Sequence, residues 1–191
     1  MRGFCALALL LLACPSRAQE DLSSPAGERF VYYAPPSRSF ACDIPADWSA
    51  SEQEMPRGKV SHILGPVEAS GVWQVGYHIH VFDRDKPGFV TARDAMAFER
   101  RDEKASSRQA TQPVSWRIAG KPARVFEVRE ARILPKDRLP AKRVMLHHFY
   151  AFVASGGNEY IMIKLSATED TYLDYREEFK RLLKSFRVVG Y

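Results

Sequence analysis

The residues best suited to chemistry in this 191-residue chain are its five histidines, two of which form the run His78-Ile79-His80. In an extended chain, alternate residues face the same way, so these two imidazoles stand roughly 7 Å apart on one strand face. Neutral imidazoles bind transition metals, and a third ligand would come from His62, His147 or His148 if the strand order brought one near. The alternative, a polar sheet face, needs no third ligand and is the preferred reading. Asp83 to Gly88 with Asp94 echoes a calcium loop. Pro87, however, stands where an oxygen ligand is needed, and the closing bidentate Glu is missing, so the stretch reads as a turn leading into a helix capped by Thr91. Cys42 lies between Phe40 and Ile44 and reads as a small buried hydrophobe. There is no nucleophile elbow, His-Glu-x-x-His, Cys-x-x-Cys, P-loop or dinucleotide-binding glycine pattern. No catalytic residue is therefore assigned and no cofactor is expected. An enzyme here would be a hydrolase assembled from scattered Ser, His and carboxylate side chains meeting in space.

A second candidate is a charge cluster. Arg129, Arg132, Lys136, Arg138, Lys142 and Arg143 fall within fifteen residues and face only Glu130 and Asp137, an excess of four positive charges. Pro135 and Pro140 place the middle of this segment in a connection between two strands. The cluster is expected at a projecting hairpin tip, where Arg132, Lys136, Arg138, Lys142 and Arg143 would contact anionic lipid headgroups, acidic glycans or an acidic partner protein.

The N-terminus predicts export. Arg2 precedes an apolar run of 11 residues, Phe4 to Cys14, and Pro15 breaks it; Ser16-Arg17-Ala18 then offers a signal-peptidase site before Gln19. The run is well short of the about 20 residues that span a bilayer as a helix, and no later segment is long and apolar enough, so the mature chain is expected to have no transmembrane span. Leu11-Leu12-Ala13-Cys14 also resembles a lipobox, which would make Cys14 a lipidated first residue; the Pro15 that follows argues for cleavage after Ala18. Losing Arg2 and Arg17 lowers the net charge from +5 to +3. So mild a balance does not suggest nucleic-acid binding, and export removes nucleic acid from reach. Cleavage after Ala18 leaves Cys42 as the single cysteine, so the domain is expected to rely on its core rather than on a disulfide.

The elements that must position these residues follow from periodicity. After a polar leader, residues 19–28, strands are predicted over Arg29–Tyr33, Ser39–Ile44, Lys59–Leu64 and Trp73–Asp83. Trp73, Val75, Tyr77, Ile79 and Val81 share one face of the last, opposite Gln74, His78 and His80. A helix is expected from Thr91 to about Lys104. Val114–Ile118 and Ala123–Ile133 flank Gly120-Lys121 as a hairpin would, and Arg143–Ala154 and Glu159–Ala167 flank Ser155-Gly156-Gly157-Asn158. Glu169–Phe186 is amphipathic, with Tyr172, Tyr175, Phe179, Leu182, Leu183 and Phe186 on one stripe. An antiparallel sheet covered by this helix, an α+β domain over residues 29–191, is the natural assembly.

Three segments resemble the PsbP-like α/β/α sandwich superfamily, which includes the photosystem II extrinsic subunit, a Ran-binding nuclear-import factor and DcrB-type periplasmic proteins. Phe40-Ala41-Cys42-Asp43-Ile44-Pro45-Ala46-Asp47-Trp48 is similar to its opening strand, Ile118-Ala119-Gly120-Lys121-Pro122-Ala123-Arg124 to its central glycine hairpin, and Leu182-Leu183-Lys184-Ser185-Phe186 to the end of its C-terminal helix. The resemblance implies the fold and a binding or accessory role, without naming a partner. The expected protein is therefore an exported, non-enzymatic binding or accessory protein, periplasmic or secreted, meeting an envelope protein or an anionic membrane surface. A metal-binding protein using His78 and His80 is the alternative beside the hydrolase.

Overall fold

Side-chain alternation along the strands gives the sheet one apolar face under a long helix and a second face, apolar in part, under a shorter one. A computed structural model describes residues 30–67, 73–102, 107–135, 139–156 and 159–189. In chain order the elements are β1 (Phe30–Tyr33), β2 (Phe40–Pro45), β3 (Ser49–Met55), β4 (Gly58–Leu64), β5 (Val75–Phe82), α1 (Ala92–Glu99), β6 (Gln109–Ala110), β7 (Val114–Ile118), β8 (Lys121–Leu134), β9 (Lys142–Gly156), β10 (Glu159–Thr168), α2 (Tyr172–Ser185) and β11 (Arg187–Val188). Eight strands form an antiparallel sheet in the order β3-β4-β5-β10-β9-β8-β6, with β7 also on the outer edge of β8. A separate sheet, β1-β2-β11, lies beside α2.

The larger core lies between the sheet and α2. Val75, Tyr77, Ile79 and Val81 of β5, Ile161, Ile163 and Leu165 of β10, and Phe149, Ala151 and Val153 of β9 point into it. They meet Phe179, which is fully buried, with ring centroids 5.3 Å from Tyr77 and 5.5 Å from Phe149. Phe40 stacks on Phe186 at 5.3 Å, which ties the small sheet to the end of α2. Trp48 packs 4.5 Å from Tyr77 and closes the turn after β2. Cys42 is buried in this core, and burial followed by the charge of Asp43 pushes its thiol up to about 12. The thiolate needed for nucleophilic attack is thereby disfavoured.

The opposite face carries a smaller aromatic core under α1, made by Phe82, Phe126, Tyr150, Phe152 and Tyr160 with Ala95. The α1 start is as expected: Asp94 donates its backbone N–H to the Thr91 hydroxyl at 3.2 Å, and that hydroxyl donates to the Asp94 carboxylate at 2.8 Å. The helix ends at Glu99, five residues before the expected Lys104, where the Arg108 guanidinium bonds the Glu99 carbonyl. The helix α2 begins at Tyr172 rather than Glu169.

The hairpin between β7 and β8 turns on Ala119-Gly120, not Gly120-Lys121. Ile118 pairs with Lys121, and both central residues have positive φ, 52° and 71°, as a two-residue primed turn requires. Gly58 is also demanded by sterics: its φ is +136°, and a Cβ there would lie 2.0 Å from the Val81 carbonyl oxygen. The signal segment with Cys14, the leader, Lys136 and Arg138 lie outside the described residues.

Candidate functional site

Only part of the α1 face is apolar. Towards the other end of the same strands it becomes polar, because β8, β9 and β10 change residue type without changing register. In β8 the series Phe126, Val128 continues as Glu130 and Arg132; in β9 Phe152 and Tyr150 give way to His148; in β10 Tyr160 and Met162 give way to Lys164 and Ser166. Ser166 stands directly opposite His148, so three adjacent strands bring together a hydroxyl, an imidazole and a carboxylate.

The row is hydrogen-bonded throughout. Ser166 Oγ is 2.9 Å from His148 Nδ1, and His148 Nε2 is 3.2 Å from Glu130 Oε1. His148 is 3% exposed, and burial first, then the charges of Lys164 and Arg108, lower its pKa to about 4 against the pull of Glu130. A neutral imidazole has one N–H. The carboxylate can only accept, so Nε2 donates to Glu130, Nδ1 accepts, and the Ser166 hydroxyl donates to it. Burial would raise the Glu130 carboxyl, but the hydrogen bonds from His148 and Arg132 and the charge of Arg108 outweigh it and hold it well below the usual range. Arg132 Nε bonds Glu130 at 2.8 Å, and Arg108 pairs with the same carboxylate and with Glu99, whose Oε2 accepts the Tyr150 hydroxyl at 2.7 Å.

This order of donors is that of a hydrolytic Ser-His-carboxylate triad. Acyl transfer also needs N–H donors aimed at the developing oxyanion. Ser166 sits mid-strand in β10, between β5 and β9, pairing with Gly76 on one side and His148 on the other. The amides around it are committed to the sheet ladders. The row therefore polarises Ser166 without offering an oxyanion hole. Lys164, beside it, packs its ammonium 5.1 Å from the Tyr150 ring, and burial lowers its pKa.

His78 and His80 lie on this polar face, as their spacing requires, but they meet different neighbours. His78 Nδ1 is 2.9 Å from His62 Nδ1 across the β4–β5 pair, while His80 stacks on Phe82 at 3.8 Å. Burial, then Lys164 and His62, lowers the His78 pKa to about 3; burial and Arg57 lower that of His80 to about 4. Lys164 is the register partner of His78 on the other side, so a fixed cation borders the place where a metal would bind. His148 is two strands from His78. His147 points to the α2 face, 4.8 Å from the Tyr172 ring. Among the described residues no group of three His, Cys, Asp or Glu side chains is arranged to hold a metal ion.

The basic segment divides between strands and connection. Arg132 is drawn inward by Glu130, whereas Lys142 and Arg143 are exposed, and Arg143 reaches the Ser107 hydroxyl at 3.2 Å. On the outer side of β8, β6 pairs no further along than Arg129, and on the outer side of β9, β10 reaches only Leu146. Beyond those points, residues 131–134 and 142–145 pair with each other, and among the described residues no further strand flanks them. The arm they form exposes Ile133 (65%) and Leu139 (88%) beside its cations. Sequence reasoning found the cations but not these two apolar residues, nor the buried Glu130 row. The parity that Glu130 shares with Phe126 and Val128 was the signal for the latter.

No family model matches the chain, and neither does any curated protein. Solved structures do. Cyanobacterial PsbP (CyanoP) from Synechocystis sp. PCC 6803 is similar at 15% identity over 88% of this chain and 99% of its own, with a TM-score of 0.51. The Ran-binding protein Mog1p from Saccharomyces cerevisiae is similar at 9% identity over 85% of this chain and 97% of its own, with a TM-score of 0.50. At such identities the likeness is one of architecture: a central antiparallel sheet with a helix on each face. The chain has the fold that these two proteins share, the PsbP-like α/β/α sandwich.

Proposed function

We propose that this is an exported, non-enzymatic binding or accessory protein of the cell envelope, which meets an anionic membrane through the arm formed by β8 and β9. Export rests on the three-part N-terminal segment before Gln19. The binding role is supported by the fold, which in Mog1p belongs to a Ran-binding protein. The observation that carries the choice of surface is the arm itself, where exposed Ile133 and Leu139 stand beside Lys142 and Arg143. Cations near an anionic bilayer contribute about 1 kcal/mol each, and apolar side chains at the tip add burial in the interface. Among the described residues no helix is long and apolar enough to cross a membrane.

The test uses the exported protein, whose intact mass should place its N-terminus at Gln19; a lipid on Cys14 would instead make it an anchored protein. Co-sedimentation with anionic vesicles should exceed that with neutral ones, fall with added salt, and weaken when Lys136, Arg138, Lys142 and Arg143 are changed to Ser. Equal binding to both vesicle types would refute membrane contact and leave an acidic envelope protein as the partner to seek. A second reading, ester or amide hydrolysis, rests on the Ser166–His148–Glu130 row; modification of Ser166 by a fluorophosphonate would establish it.

A further inference from the structure

Away from the arm, α1 does not close fully onto the sheet. A groove of about 900 Å³ runs between the helix, the loop before it and the β7–β8 hairpin. That lies within the range of roughly 300–1,000 Å³ typical of small-molecule sites. Phe152 and Tyr160 form its floor, their rings 5.8 Å apart, and Phe89 and Met96 form its wall. Arg93 and Arg124 stand at its rim, both exposed. A smaller depression of about 370 Å³ shares Arg93, Met96 and Arg124 with it and extends towards Arg100.

Two features give this groove a chemical preference. The first is an unpartnered donor: Tyr160 is 2% exposed, lines the groove, and its hydroxyl has no hydrogen-bond partner among the described residues. Burial raises its pKa, so it remains an O–H donor. The second is charge. Arg84, Arg93 and Arg124 face Asp94 and Glu159, and the Asp94 carboxylate is already engaged by Thr91 at the start of α1. Arg124 spends one N–H on the Ser115 hydroxyl at 2.7 Å, while Arg93 pairs with no carboxylate among the described residues. An apolar floor with a buried phenol and a cationic rim suits a ligand that is apolar in body and anionic at one end.

We infer that the groove beneath α1 is a binding site for a small organic acid, with an aromatic or alkyl body on Phe152 and Tyr160 and a carboxylate or sulfonate head at Arg93 and Arg124. The site is separate from the arm and does not depend on membrane contact.

The probe is anilinonaphthalene sulfonate, compared with phenylnaphthylamine, the same body without the sulfonate. The folded protein should bind one equivalent of the sulfonate, about tenfold more tightly than the neutral dye, as the loss of one charge-assisted contact implies. Arg93→Ser with Arg124→Ser should bring the sulfonate down to the level of the neutral dye. Met96→Trp, which fills the groove, should remove both. Lys142→Ser with Arg143→Ser, on the arm, should change neither. No saturable binding, equal affinity for the two dyes, or full sulfonate binding by the Arg93/Arg124 variant would each overturn the inference. If Met96→Trp fails to fold, the rim variant decides alone, because its side chains are exposed. Loss of sulfonate binding in the arm variant would place the anion site there instead.

Discussion

Acid should unfold this protein well above the range in which its carboxylates are protonated, because three imidazoles are held neutral on the polar sheet face. His78 is lowered from 6.5 to about 3, and His80 and His148 from 6.5 to about 4, chiefly by burial. In the unfolded chain each takes a proton at about 6.5, which the native state refuses. The unfolded state thus binds more protons below about pH 6.5, and stability falls as pH drops from there towards the folded values. At about pH 5 each such histidine costs the native state on the order of 2 kcal/mol relative to about pH 7.5, and the three together about 6 kcal/mol. That is comparable with the whole stability of many domains, about 5–15 kcal/mol. Urea unfolding at the two pH values, at fixed ionic strength, should show the midpoint falling steeply with little change in slope. Following the His Cε1–H resonances should show His148 still neutral at about pH 5. A loss below about 1 kcal/mol, or a His148 resonance titrating near its unperturbed value of about 6.5, would refute the burial argument.

Glu130→Gln removes one of the two carboxylates that hold Arg108, whose side chain is 10% exposed, leaving it Glu99, and should cost about 3 kcal/mol in urea unfolding, the lower end for breaking a buried pair; a cost under about 1 kcal/mol would mean that the cluster is solvated. Zinc titrated into the mature protein should bind weakly, and His78→Ala with His80→Ala should bind it equally weakly, since Lys164 borders His78. Tight binding abolished in that variant would establish the metal-binding alternative.

The apolar side of this fold was readable because its signals are local and redundant. Phe149, Ala151 and Val153 alternate within one strand, and Tyr172, Tyr175, Phe179, Leu182, Leu183 and Phe186 repeat along one helix, so each element declares its buried face unaided. The strand β3 was missed for the converse reason. Ser49–Met55 is an edge strand, exposed at six of its seven positions, and its place is fixed by pairing with β4 rather than by any apolar pattern of its own. Strands β6 and β11, of two residues each, are likewise defined by their neighbours. The third strand of the small sheet, β11, joins β2 by chain reversal after α2, which periodicity cannot register.

The polar row was hidden by a different cause. Read along the chain, Glu130 partly offsets a run of surface cations, and His148 is one of two adjacent histidines with nothing to separate them. The difference between them is parity. His148 shares a face with Tyr150 and Phe152, under the reach of α1, while His147 shares one with Phe149, under α2. Once both faces of the sheet are known to carry helices, a carboxylate in phase with Phe126 and Val128, and next to Val128 in that series, is placed to be buried, and burial obliges it to find counter-charges. Arg108 comes from the segment after α1, and Arg132 from two residues further along β8. Among the described residues the basic cluster thus divides, and Arg129 pairs with Glu169 at the surface. Arg132 serves the interior carboxylate, and Lys142 and Arg143, on the paired strand that carries no buried acid, are left to the solvent. Net charge along the sequence could not separate them, because the separation is made by strand pairing: Lys142 shares the side of Arg132 but lies opposite Leu134, further out on the arm, and Arg143 lies on the other side, opposite Ile133.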